Sequence, residues 1–291
     1  MIAALTKRHM QVFFRDKGAV FFSLLSPLIV FLLFFLFLGA SQLESIKESL
    51  PHIDEDKLSI FLNSWVYAGI VMVTTITTGL AALGVFVADR ESGRFTDFAV
   101  SPVSRWKVVV SYLLATVSIA AIITTIVYIV AQTYLIIQGA PVPTLGVVVQ
   151  TIGLYLLTAF SFGALSSLVV TFIKSSAAFT SLSVIVGTGA GFVAGIYVPI
   201  GIMSAGIANV LNSLPFAQAA ALLREPFVAA PLEAIGEGQP VEVVKGLTET
   251  YGLQVVIDGH ILASSTLIVI LVALGVVALI LATVQISRKL K

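Results

Sequence analysis

Apolar residues fall along this chain in long unbroken runs, without the period of a soluble amphipathic helix or a half-buried strand. A bilayer core about 30 Å thick needs about 20 apolar helical residues to cross it. Six stretches reach that length: roughly 19–39, 63–88, 108–137, 146–173, 177–198 and 261–284. None carries Asp, Glu, Lys or Arg except near its ends. The runs are too long for barrel strands and lack a barrel strand's alternation. The pattern predicts an all-α membrane protein with six transmembrane helices.

Composition agrees. Only 11% of the 291 residues are charged, against about 25% in a soluble domain, so a water-soluble globule is excluded. The net charge of +1 points to no nucleic-acid partner. Cys is absent, which removes disulfides, thiolate metal sites and cysteine nucleophiles.

The cations set the orientation. With both termini on one side, that side holds twelve of the 16 Lys and Arg residues; the four others are Lys47, Lys57, Arg224 and Lys245. The positive-inside rule then places both termini in the cytoplasm. The first span exceeds a signal-peptide core of about 7–15 residues, so it is expected to be retained.

Between the spans the pattern changes. Residues 2–15 put Ile2, Leu5, His9, Val12 and Phe13 on one helical face and Lys7, Arg8, Gln11 and Arg15 on the other, as in an interfacial helix over 1–17. His9 is read as an interfacial histidine without a special role. Pro27 should kink span 1. The outer loop 41–62 is acidic and lacks calcium-loop spacing. Gly187, Gly191 and Gly195 form small-xxx-small pairs on span 5, a surface for helix packing or a moving pathway. The apolar stretch between Pro199 and Pro215 is too short to cross. It and the following run, ended by Arg224, predict a re-entrant pair of short helices after span 5, with 225–259 as a polar outer loop. The whole chain, 1–291, reads as one membrane domain.

Chemistry is sparse. His9, His52 and His260 are dispersed, and no nucleophile elbow or phosphate-binding loop occurs. The spans hold no midplane charge of the kind ion-driven pumps use. Thr74, Thr75, Thr77, Thr78, Thr124, Thr125, Tyr128, Gln132 and Tyr155 suit interhelical hydrogen bonds better than a pathway. The chain is therefore not read as an enzyme and has no ATP site of its own.

The cytoplasmic loop 89–107 is the most charged short stretch. Phe95, Phe98 and Ala99 have the spacing of a short helix with one apolar face, stopped by Pro102. With Arg90-Glu91-Ser92-Gly93 before it and Ser101-Pro102-Val103-Ser104 after it, the loop resembles the coupling helix of permease subunits of type-2 ATP-binding-cassette exporters. Phe95 and Phe98 stand where that family commonly has Leu. Pro199, Leu211-Asn212-Ser213-Leu214-Pro215 and Arg224 are similar to its span-5 exit, with two extra residues before the second Pro. The resemblance covers nearly the whole chain.

It implies that Arg90, Glu91, Gly93, Phe95, Phe98, Ser101 and Pro102 couple the chain to a separate cytoplasmic ATPase, and that Pro199 and Pro215 frame an outer gate. Glu91 would cap the docking helix or pair with the motor. No cofactor is expected on this chain; ATP and Mg belong to the partner. A second copy or a sister permease completes the unit in a cell membrane, with a prokaryotic setting. Its cargo would be a drug, antibiotic, lipid or glycan moved outward, as in multidrug efflux. A membrane-embedded lipid-acting enzyme or assembly factor, and an ATP-independent channel, are the competing readings.

Overall fold

A computed structural model of the chain describes residues 1–94 and 104–289. Helix α1 (Ile2–Arg15) leads at Asp16 into α2 (Lys17–Leu33), whose first turn is capped by the Asp16 carboxylate on the Ala19 N–H. The first span continues as helix through Pro27. Its regularity breaks further on, in a π-helical turn at Phe34–Leu38, before α3 (Gly39–Ser49). The expected acidic loop 41–62 is thus mostly helix, with the real turn near Pro51. Lys47 pairs with Glu55 at 2.6 Å across that turn, which offsets some of its negative charge.

Helix α4 (Glu55–Ala82) is the centre of the bundle. It is apolar all round, and a helix of that kind has no face to give to solvent. Nearly every side chain from Leu58 to Leu80 is buried. It continues as α5 (Gly84–Glu91), the cytoplasmic end of the second span under the orientation derived above. Around α4 stand α6 (Arg105–Ile137), α7 (Leu145–Val170), α8 (Ser176–Val193) and the C-terminal α12 (Ser264–Lys289). The described residues hold six helices long and apolar enough to cross a membrane.

Hydroxyls tie these spans together. Thr75 Oγ1 lies 3.1 Å from Thr124 Oγ1, Thr125 Oγ1 2.7 Å from Tyr155 Oη, and Ser161 Oγ donates to the Leu271 carbonyl at 2.8 Å. These are the interhelical bonds expected where lipid provides no hydrophobic drive between helices.

After span 5 come a 3₁₀ turn (Ile200–Ile202), α9 (Ala205–Ser213) and α10 (Pro215–Gly236), the last two meeting at 85°. Here the structure corrects the expectations. Arg224 does not end the second short helix: α10 runs on for twelve further residues through Pro226 and Pro231. The guanidinium turns inward onto carbonyls, so the helix has no need to release it to water. Nor is 225–259 a polar loop. It contains α11 (Val241–Thr250) and the first strand of a hairpin, β1 (Val255–Ile257) with β2 (His260–Leu262). Asp258-Gly259 forms the hairpin turn with positive φ at both residues (49° and 79°), the backbone a two-residue hairpin requires. These elements form a cap over one end of the bundle.

Candidate coupling and transport site

Three consecutive residues at the end of α5 hold four other elements. Asp89 is buried. It takes a two-pronged contact from Arg8 of α1, at 2.5 and 2.9 Å, a 2.7 Å hydrogen bond from the Tyr112 hydroxyl of α6, and a longer 3.5 Å contact from Arg94. A carboxylate out of water needs such saturation to stay charged. Arg8 therefore does not lie on a solvated polar face. It reaches to Asp89, whose bond holds the guanidinium protonated well above its ordinary range.

Next to it, Arg90 donates from one guanidinium nitrogen to the Thr171 and Ile173 carbonyls, both at 2.8 Å. These follow the C-terminus of α7, where unpaired carbonyls and the helix dipole favour a cation. Glu91 accepts from the Ser176 N–H at 3.1 Å and from the Ser176 hydroxyl. It thus caps a helix N-terminus, that of α8, which Ser175 also caps through the Ala178 N–H. Gly93, at φ 78°, lets the chain leave the helix in a left-handed conformation. Phe95, Phe98, Ser101 and Pro102 lie outside the described residues.

His9 is part of this cluster. Its ring is buried and stacked on Tyr112 with centroids 3.8 Å apart, and Nε2 lies 3.2 Å from Ser111 Oγ. Burial first, and the Arg8 charge second, push the imidazole down to about 4 from an ordinary 6.5. A helix released from the bundle would bind that proton more readily than the docked one. Docking of α1 should therefore be at full strength above pH 6.5 and weaken as pH falls through about 4. Hydrogen exchange of the α1 amides, corrected for intrinsic pH dependence, should accelerate between pH 7 and 5 in the wild type. In His9→Phe, which keeps a stacked ring and does not titrate, the corrected rate should be flat. Equal profiles for the two would dismiss the effect.

A cavity of about 400 Å³ lies beside this cluster, between the start of α2, the end of α4 and the first half of α8. Phe13, Ser23, Thr77, Phe179, Thr180 and Ser183 are on its wall, with Gly187 at its inner end.

Gly191 and Gly195 serve the turn after span 5. A Cβ on Gly191 would come within 2.6 Å of the Tyr197 ring, and one on Gly195 within 2.4 Å of Ile200. Gly195 has φ 65°, and the Ile196 N–H returns to the Gly191 carbonyl at 2.9 Å, a Schellman closure of α8. Pro199 precedes the 3₁₀ turn, and Pro215 opens α10 at its first position, where the missing N–H costs nothing.

Arg224 joins this region from the cap. Its Nη2 donates to the Ala194 and Gly195 carbonyls at 2.9 and 3.0 Å, and its Nη1 to Gly252 at 3.1 Å. The guanidinium lies 4.9 Å from the centre of the Trp65 ring, and Trp65 Nε1 donates to the Tyr251 carbonyl at 2.7 Å. One buried cation thus closes the C-termini of α8 and α11.

Asp89, Arg8 and Tyr112 were not singled out as a cluster by sequence, whereas Arg224 was, as part of the span-5 exit. For Asp89 a signal existed: an acid directly after an apolar run must find a partner if the helix continues, and the cationic α1 is expected on the same side.

A family model described as ABC-2 type transporter matches residues 1–227. That range includes α1, the first five spans, the loop after α5 and the turn after span 5 as far as Arg224. No curated protein matches the chain.

Proposed function

The chain belongs to the ABC-2 type transporter family, and from that membership we propose that it is the membrane half of an ATP-driven exporter for hydrophobic or amphipathic cargo. The observation that carries this reading is the clasp at residues 89–91. A motor pushing on the loop that follows moves α5, and with it α1 through Arg8, the end of α7 through Arg90 and the start of α8 through Glu91. Val12 and Phe13 of α1, Val85 and Ala88 of α5 and Ser176 of α8 are on the wall of the cavity, so a stroke there changes its shape. Cargo enters at this cavity from the cytoplasm and leaves beneath the outer cap. The unit comprises two permease chains, identical or sister, and separate ATPase subunits that bind ATP and Mg. Both termini lie in the cytoplasm of a cell whose membrane the chain spans six times.

Glu91→Ala tests the reading. A carboxylate at a helix N-terminus contributes about 0.3–1 kcal/mol, so the variant should insert and recover its ATPase partner. Export should fall at least about ten-fold, a difference of about 1.4 kcal/mol in coupling, while the partner continues to hydrolyse ATP. Glu237→Ala, which removes an exposed 3.7 Å pair with Lys57, should export normally. Wild-type export by Glu91→Ala at equal expression would remove the clasp from the mechanism.

A further inference from the structure

We propose that the cavity between α2, α4 and α8 selects amphipathic cations, a choice of cargo class that rests on its being the entry site. The argument starts from where its hydroxyl protons go. Ser23 donates to the Val20 carbonyl at 2.8 Å, Thr77 to Val73 at 2.8 Å, Thr180 to Ser176 at 3.0 Å and Ser183 to Phe179 at 2.9 Å. Ser176 donates to the Glu91 carboxylate. All five hydroxyls on the wall are thus committed as donors. What remains for a ligand is their oxygen lone pairs, since a hydroxyl has one proton and two acceptor sites.

The second observation is Asp16 at the rim. Among the described residues it is the one ionisable side chain that lines the cavity. One carboxylate oxygen caps α2 at Ala19, and among the described residues no hydrogen bond is seen on the other. Arg15 and Lys17 flank it in sequence but are not among the described lining residues. The rest of the wall is apolar and aromatic, with Phe13, Phe22 and Phe179, and aromatic faces attract cations. Acceptor oxygens, ring faces and a carboxylate in an apolar cavity all favour positive charge or N–H donors. Among the described lining side chains, an anion would meet hydroxyls whose protons are already committed and a carboxylate.

The test uses two ions of nearly the same shape and opposite charge. Equilibrium binding of tetraphenylphosphonium and of tetraphenylborate is measured on the full-length permease in nanodiscs, with empty nanodiscs subtracted. The phosphonium should bind at least about ten-fold more tightly. Asp16→Asn retains a side-chain oxygen for the α2 cap, so the fold is preserved. It should weaken phosphonium binding by about three- to ten-fold and leave the borate within about two-fold. Equal affinities, a preference for the borate, or phosphonium binding untouched by Asp16→Asn would overturn the proposal. ATPase recovery and coupled export are scored separately. Their loss in the wild-type chain would remove the transport reading, whereas equal ion binding by a chain that still couples would remove only the cation selectivity.

Discussion

Asp89→Asn should abolish export in a chain that still inserts. The side chain is 1% exposed and its main partner, Arg8, 35% exposed. Removing one member of a buried pair typically costs about 3–5 kcal/mol, because the other is left uncompensated. The open side of Arg8 lets water reclaim part of that, which reduces the expected loss to roughly 2–3 kcal/mol. The loss is local. It detaches α1 from α5 and leaves the central packing of α4 in place. Arg8→Met strands the carboxylate and should release α1 to a similar degree. The double variant should lose no more than the worse single one, since both changes cut the same contact. Hydrogen exchange along α1 reads the release, and export with ATP hydrolysis reads the uncoupling. Protected α1 amides and normal export in Asp89→Asn would show that the pair carries neither packing nor force.

How much of this was legible in the sequence differs from element to element. The six spans were, because a bilayer demands unbroken apolar runs and leaves little room for another reading. The helix at 2–15 was legible from its two faces, but which cation turned inward was not. Arg8 and Lys7 look alike in a helical pattern; only the position of Asp89 across the bundle distinguishes them. Glu91 was read as a carboxylate for a helix N-terminus, yet the helix it caps begins 85 residues later, a distance no local pattern reveals. The glycines of span 5 were read as a surface for helix packing or a moving pathway. Gly191 and Gly195 instead admit Tyr197 and Ile200 of the turn that follows, a contact set by the Schellman closure. The Asp258-Gly259 turn was a signal that was present and passed over, because flanking strands only three residues long are easily lost beside long apolar runs.

Arg224→Gln should separate the cap from the spans. The guanidinium satisfies three buried carbonyls from two helices whose last turns end in left-handed glycines, Gly195 at φ 65° and Gly252 at φ 58°. Each helix directs the negative end of its dipole at the same cation. That offsets the burial of a charge that has no carboxylate partner among the described residues. A glutamine amide cannot span both helix ends, so at least one or two carbonyls lose their donor at about 1–3 kcal/mol each. The ring of Trp65 loses its cation as well, worth up to about 2 kcal/mol when desolvated. Arg224→Lys should rescue little, because a single ammonium on a flexible stem lacks the planar fork that reaches both helices. The expected result is a cap that opens without ATP. A single Cys in place of Ile196, which is 2% exposed, should react slowly with an impermeant thiol reagent in the wild-type background. In Arg224→Gln it should react at least about ten-fold faster, in line with an opening made cheaper by about 1.4 kcal/mol or more. The absence of native Cys keeps the assay free of background. Equal labelling rates in the two backgrounds, with the thermal midpoint unchanged, would mean that the cap is held by its apolar contacts and that Arg224 adds nothing to its closure.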